Sequence, residues 1–146
     1  MRTTLPVIAD SSALVSLASV TDQNHSKAVL YSQSFVKTNR PLIIPSEVIA
    51  ETINTIGRKI SHQMAMAVGN ELLGSSAYFI VDSNTDLRII AFDKFKKQKG
   101  PPELSLKPAK ASFTDCVVMA VADYYETKDI FGFDKIFSKN GFKIIT

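Results

Sequence analysis

Four acidic side chains stand at comparable places in the chain, each just after an apolar run or in the early turns of a predicted helix: Asp10, Glu51, Asp115 and Asp134. Asp10 shows the pattern most clearly, because it ends the apolar run Val7-Ile8-Ala9 and two serines follow it at once. In open α/β sheets, ligands bind just outside the carboxyl ends of the strands. We therefore expect these four acids to converge at that edge of a sheet.

A cluster of carboxylates needs a neutralising partner. Two such charges about 4 Å apart repel by about 4 kcal/mol at an effective dielectric near 20, so the site either holds a proton or binds a cation. An all-oxygen ligand set without histidine suits Mg²⁺ or Mn²⁺. The chemistry that such ions support is attack of a metal-bound water on a phosphodiester.

The elements that must position these acids alternate between strand and helix. Short apolar runs predict strands at 7–9, 42–44, 78–81, 130–133 and 143–145, with helical periodicity between them. This alternation, without a two-residue hairpin signal, predicts an α/β fold with parallel strands. We expect residues 1–146 to form a single three-layer domain, with a parallel sheet of about five strands flanked by helices.

Capping residues and apolar faces set the expected helix boundaries. Ser46 and Ser61 are predicted N-caps, and Ser83 with Asp86 resembles a capping box. The helix after Ser61 is expected to bury three residues, namely Met64, Val68 and Leu72. The segment 113–125 is apolar almost all round, which predicts a deeply buried helix with Cys116 in the core.

The composition bounds the class of protein. The chain has 146 residues, 45% hydrophobic and 21% charged, which is ordinary for one globular domain. Its longest apolar run, 117–122, is far too short to span a bilayer, and Asp10 interrupts the only stretch that resembles a signal peptide. A single cysteine fits a reducing compartment. We expect a cytoplasmic protein that does not bind a membrane.

The net charge of +3 is concentrated in a lysine-rich stretch: Lys94, Lys96, Lys97, Lys99, Lys107 and Lys110. One interpretation is a solvated helix end and loop. The other is a region that contacts the phosphate backbone of RNA.

Four motifs in order resemble the PIN-domain nucleases, most closely the VapC-type toxins of toxin–antitoxin pairs. The motifs are Asp10 with Ser12, Glu51 within 46–51, Asp115 within 114–120 and Asp134 within 133–137. The resemblance runs over essentially the whole chain, including its length.

The resemblance implies a PIN-like five-stranded parallel sheet and endonucleolytic cleavage of RNA that depends on Mg²⁺ or Mn²⁺. It implies that the four acids bind the metal and catalyse, and that Ser12 supplies an auxiliary hydroxyl. It also implies frequent homodimers and inhibition by a small antitoxin whose tail enters the cleft. The chain departs from the family at Gly132, where many members carry a small hydroxyl residue, and at Ser112, where some carry a further acid. Its lysine-rich insertion is also longer than in compact members.

Each candidate also has a purely structural interpretation. Asp10 could cap the helix after it, although two following serines could take that role. Asp115 could favour its own helix dipole, Asp134 could be a turn residue, and Ser12 could be a cap. Glu47 competes with Glu51 on the same helix face. His25 and His62 lack ligand spacing and are expected at the surface.

Two other classes of function are open from the residues. A phosphoryl-transfer domain with an aspartate nucleophile would need a second acid close after Asp10, where the chain has Ser11 and Ser12. The alternative to catalysis is a PIN-like module that binds RNA or protein and retains its acids without cutting.

Overall fold

A parallel sheet of five strands forms the centre of the computed structural model, which describes residues 5–98 and 111–145. The strands are β1 (Val7–Ala9), β2 (Leu42–Pro45), β3 (Phe79–Val81), β4 (Asp129–Phe131) and β5 (Lys143–Ile144). Their order is β3-β2-β1-β4-β5, and all four pairings are parallel. This confirms the predicted fold class.

Helices connect the strands, because parallel neighbours require a crossover. The described residues form α1 (Ser11–Ala18), α2 (His25–Lys37), α3 (Ser46–Lys59), α4 (His62–Gly74), α5 (Thr85–Lys97), α6 (Phe113–Tyr124) and α7 (Ile136–Lys139). Contacts join α1 to α2 and α3, α3 to α4, and α5 to α6. Right-handed crossovers place these two groups on opposite faces of the sheet, which gives the predicted three layers.

The core is built on the central strand and on α6. Every residue of β1 is fully buried. The residues of α6 from Cys116 to Ala122 are each no more than 1% exposed to solvent. This burial explains why α6 has no polar face in the sequence. Within the part of the chain that the structure describes, no helix is both long and apolar enough to cross a membrane.

The order of the strands reverses beside β1. The chain moves from β1 to β2 and β3 in one direction, whereas β4 and β5 lie on the other side of β1. The gap outside the carboxyl ends of β1 and β4 is therefore the topological switch point, where sheets of this kind bind ligands. Asp10 follows β1 and Gly132 follows β4 at this point.

Several predicted helix starts were wrong. Pro45, not Ser46, is the N-cap of α3. Asn84 caps α5 by accepting a hydrogen bond from the Leu87 amide, so Ser83 forms no capping box. Ser61 does cap α4, as predicted.

Two further details differ from the sequence-based expectation. Met64 is 37% exposed, because α4 turns Ala65, Gly69 and Leu72 inward instead. The strand β4 ends at Phe131, and the short helix α7, which was not predicted, follows it.

Candidate active site

Asp10 is the buried centre of the candidate site. It is only 3% exposed and serves as the N-cap of α1. Its Oδ2 accepts hydrogen bonds from the Ser12 amide at 3.2 Å and from the Ser12 hydroxyl at 2.7 Å. Its Oδ1 is buried without a hydrogen-bond partner. The expectation that a serine would take the capping role was wrong, since Asp10 itself caps the helix. Only its Oδ2 serves as the cap, and Oδ1 accepts no hydrogen bond.

The Ser12 hydroxyl links the ends of two neighbouring strands. While it donates to Asp10, it accepts a hydrogen bond from the Phe133 amide at 2.9 Å. A Cβ atom on Gly132 would lie 3.0 Å from the Cβ of Asp10 and 3.3 Å from the Ser12 hydroxyl oxygen. The glycine therefore provides space for Asp10 and Ser12.

Glu51 joins the same site through α3. Its Oε2 accepts a hydrogen bond from the Ser11 hydroxyl at 2.9 Å, which ties α3 to the start of α1. Glu47, the competing acid one turn earlier, instead accepts from the hydroxyl of its neighbour Ser46 at 3.1 Å. Glu51 is thus the acid of α3 that contacts the residues around Asp10.

Asp115 is held by the capping box at the start of α6. The Ser112 amide donates to its Oδ2 at 2.9 Å, and the Asp115 amide donates to the Ser112 hydroxyl at 3.1 Å. The carboxyl is half-buried. Asp134 is exposed, and its Oδ1 accepts from the Ile136 amide at 3.0 Å at the start of α7. Both acids therefore stabilise a local turn with one oxygen.

The charges of these acids act on one another. Burial raises the pKa of Asp10 to about 6, the Ser12 hydroxyl opposes the rise, and the charges of Asp115 and Glu51 add to it. Burial also raises the pKa of Asp115, against hydrogen bonds from Ser112, and the charges of Asp134 and Glu51 add to the rise. Asp10, Glu51 and Asp115 are therefore close enough for their charges to interact, and Asp134 is close enough to act on Asp115.

The donor set matches a hydrated hard cation better than a fully enclosed one. Among residues 5–98 and 111–145, no three Asp, Glu, His or Cys side chains meet closely enough to hold one ion together. Mg²⁺, however, keeps several water ligands and is commonly held by one or two carboxylates. The unpartnered Oδ1 of Asp10 is a buried oxygen that such an ion would satisfy.

Two of the predicted RNA-contacting lysines, Lys94 and Lys96, form ion pairs. Lys94 forms an ion pair with Asp123 at 2.6 Å, and Asp123 stands eight residues beyond Asp115 on α6, about 12 Å along the axis. Lys96 pairs with Asp93 at 3.1 Å, and Lys97 lies in the last turn of α5. The other three predicted lysines, Lys99, Lys107 and Lys110, fall outside the described residues.

Sequence reasoning missed the groups that hold the acids in place. Ser112 could have been found, because a serine three residues before an acid at a helix start is the capping-box pattern. The bond from Ser11 to Glu51 spans 40 positions of the chain, and no local signal predicts it. The Phe133 amide depends in the same way on tertiary packing.

Solved structures with the same fold were found by comparison. The chain has a TM-score of 0.77 and 21% identity to VapC20 of Mycobacterium tuberculosis, described as a Sarcin-Ricin loop cleaving toxin, over 94% of this chain and 96% of that one. It has a TM-score of 0.61 and 9% identity to FitAcB of Neisseria gonorrhoeae, over 96% of each chain. Searches against protein-family models and against curated proteins gave no match. The likeness confirms that the chain has the PIN-like fold of VapC-type proteins.

Proposed function

We propose that this chain is an endoribonuclease that hydrolyses RNA phosphodiesters with Mg²⁺ or Mn²⁺. We further propose that it is the toxin of a type II toxin–antitoxin pair, with residues 1–146 as one nuclease domain. The fold of VapC20, whose description names it as a toxin that cleaves the Sarcin-Ricin loop, supports this assignment.

The observation that carries the proposal is the buried, unpartnered Oδ1 of Asp10 at the topological switch point. An unsatisfied buried carboxylate oxygen is costly, and the charges of Asp115 and Glu51 make ionisation of Asp10 less favourable still. A divalent cation would relieve both costs. No other described residue combines a buried carboxylate oxygen without a partner with two neighbouring acids.

The roles of the residues follow from their bonds. Asp10 and Asp115 would hold the cation, partly through water, with their anchored oxygens fixed by Ser12 and Ser112. Bound there, the cation would lower the pKa of a coordinated water and neutralise charge on the scissile phosphate. Glu51, fixed by Ser11, would orient or deprotonate the attacking water. Asp134 would complete the acidic set.

The proposed biological setting is an RNA-cleaving toxin in the cytoplasm, held inactive by a small antitoxin and assembled as a homodimer. A toxin of this kind should arrest growth when it is expressed without its antitoxin. Size-exclusion chromatography with light scattering would report the oligomeric state.

Cleavage of RNA by the purified chain tests the proposal. The wild type should cut RNA in Mg²⁺ or Mn²⁺ and stop in EDTA, whereas Asp10→Asn should lose at least about a hundredfold in rate. Asp86→Asn, which removes an exposed acid from the first turn of α5, is the matched control and should cut like the wild type. An Asp10→Asn variant that cuts at the wild-type rate would exclude the assignment.

The alternative is a non-catalytic module that binds RNA or protein. The lack of three tightly converging ligands among the described residues is the observation in its favour. Titration with Mn²⁺ separates the two functions, since the nuclease requires weaker Mn²⁺ binding in Asp10→Asn than in the wild type. Equal affinity in both, without RNA cleavage, would favour the module.

A further inference from the structure

A second feature opens directly beside Glu51. A cleft of about 420 Å³ lies between α3 and the start of α6. The residues that line it are Glu47, Ala50, Glu51, Asn54, Arg58 and Thr114. Glu51 belongs to both this cleft and the acidic site, and Thr114 immediately precedes Asp115, so a polymer engaged at Asp10 and Asp115 can continue into the cleft.

The helical spacing aligns the polar side chains of α3 along this cleft. Asn54 and Arg58 follow Glu51 by three and seven positions, so all three share one face of the helix. Seven residues correspond to about 10 Å along the axis. Long side chains on a helix lean toward its N-terminus, which is the direction from Arg58 to Glu51.

Among the residues that the structure describes, Arg58 is the only cation that lines the cleft, and it makes no ion pair with any of them. It differs in this from two of the lysines on α5, since Lys94 and Lys96 are paired with acids. A cation left without an acidic partner beside a group of carboxylates would bind an anion at the border of the acidic site.

We propose that Arg58, with Asn54 beside it, binds the backbone phosphate of a nucleotide next to the scissile bond. This inference rests on the proposed nuclease function and adds a substrate-positioning residue to it. The planar guanidinium donates two parallel hydrogen bonds to phosphate oxygens. Such contacts carry no base information, but they fix the register of the strand, so Arg58 sets which phosphodiester lies over Asp10.

Binding measurements with a matched pair of variants test the contact. The probe is a fluorescently labelled, single-stranded RNA of mixed sequence, in EDTA so that it stays intact. Lys59 is the control, because it is the exposed neighbour of Arg58 but lies about 100° round the helix and does not line the cleft. Arg58→Ala should weaken binding about tenfold, the value of one charge-assisted contact, whereas Lys59→Ala should change it less than about twofold.

The dependence on salt and on a single phosphate sharpens the result. Loss of one phosphate contact should lower the slope of log affinity against log salt by about 0.7 in Arg58→Ala. The third measurement uses a series of RNAs in which a different single phosphate is replaced by a neutral methylphosphonate. The replacement at one position should weaken RNA binding by the wild type and leave RNA binding by Arg58→Ala unchanged. Arg58→Lys should keep part of the affinity but lose this preference for one position.

The outcomes separate the inference from the proposed function. Equal effects of Arg58→Ala and Lys59→Ala, or a methylphosphonate profile that Arg58→Ala leaves unchanged, would overturn the role of Arg58 while RNA cleavage stands. Cleavage that survives Asp10→Asn would instead overturn the nuclease assignment, whatever Arg58 does.

Discussion

The substitution Asp10→Asn should stabilise the apo protein at neutral pH. In the folded chain, burial raises the pKa of Asp10 from 3.8, the ordinary value of an aspartate carboxyl, to about 6. The folded state therefore holds this proton more tightly than the unfolded state, and stability falls as pH rises from about 4 to about 6. Asparagine resembles the protonated carboxyl in size and lacks this pH-dependent loss.

The magnitude follows from the difference between the two pKa values. A difference from 3.8 to about 6 corresponds to about 3 kcal/mol at 1.36 kcal/mol per pH unit. Solvent screening needs little correction, because Asp10 is only 3% exposed. Asparagine is as good an N-cap as aspartate, so the bond to the Ser12 amide survives. For a domain of this size, each kcal/mol changes the Tm by about 2–4 °C, which gives an increase of about 6–12 °C.

Urea and thermal unfolding in EDTA between pH 4 and pH 8 measure this effect. The advantage of Asp10→Asn should be small at pH 4, grow through pH 5 and pH 6, and be complete above about pH 7. Asp86→Asn should show no comparable pH-dependent difference from the wild type. A constant difference over the whole pH range, or an Asp10→Asn variant less stable than the wild type at pH 7.5, would refute the reasoning. Added Mn²⁺ should raise the Tm of the wild type and not that of the variant.

The remaining predictions concern the groups around Asp10. Gly132→Ala should destabilise by about 1 kcal/mol in urea, since its Cβ would lie 3.0 Å from that of Asp10; Gly74→Ala, with nothing within 4 Å, is the control and should be neutral or stabilising. Ser12→Ala should cost about 1–3 kcal/mol at neutral pH, because it removes a donor to Asp10 and the acceptor of the Phe133 amide. It should also raise the Asp10 pKa further, so the stability loss with rising pH would extend to higher pH. A Ser12→Ala profile that overlays the wild type would contradict this.

Much of the fold was predictable because local patterns and tertiary structure agree. Short apolar runs separated by segments of helical periodicity are enough to indicate parallel strands, since such strands need crossovers. The buried helix α6 was visible because no polar face interrupts 116–122. The strand order places β1 in the centre, and its three residues are all fully apolar.

The helix starts were harder to predict because several residues compete for each cap. Asp10, Ser11 and Ser12 can all accept from a helix amide, and the local sequence does not rank them. The fold decides, since Glu51 occupies the Ser11 hydroxyl and the Phe133 amide occupies that of Ser12. These partners lie far away in the chain, so only the tertiary structure assigns the cap to Asp10.

The same competition explains why the acids of the candidate site were predictable, whereas the hydroxyls and amides that hydrogen-bond them were not. The acids follow strand ends, and strand ends can be read from hydrophobic runs. Their supporting hydroxyls and amides depend on how α1, α3 and α6 approach one another, which no run of residues encodes. The ion pair between Lys94 and Asp123 is a similar case, because it joins α5 to α6 and no local pattern indicates it.

Structural and chemical roles are combined in each acid, so one role does not exclude the other. In Asp10, Glu51 and Asp115, hydrogen bonds from the described residues go to one carboxylate oxygen and leave the second for another partner. A carboxylate that served only as a cap would gain from exposure, since water could solvate its second oxygen. Asp10 is buried instead, with Oδ1 unsatisfied, and the fold keeps two more charges nearby.

This arrangement lowers the stability of the apo protein, and under the proposed function a cation that binds there would return that free energy as affinity. The stabilisation by Asp10→Asn follows from the burial of this charge alone, and the loss of Mn²⁺ binding in the same variant is the additional result that the proposed nuclease function requires.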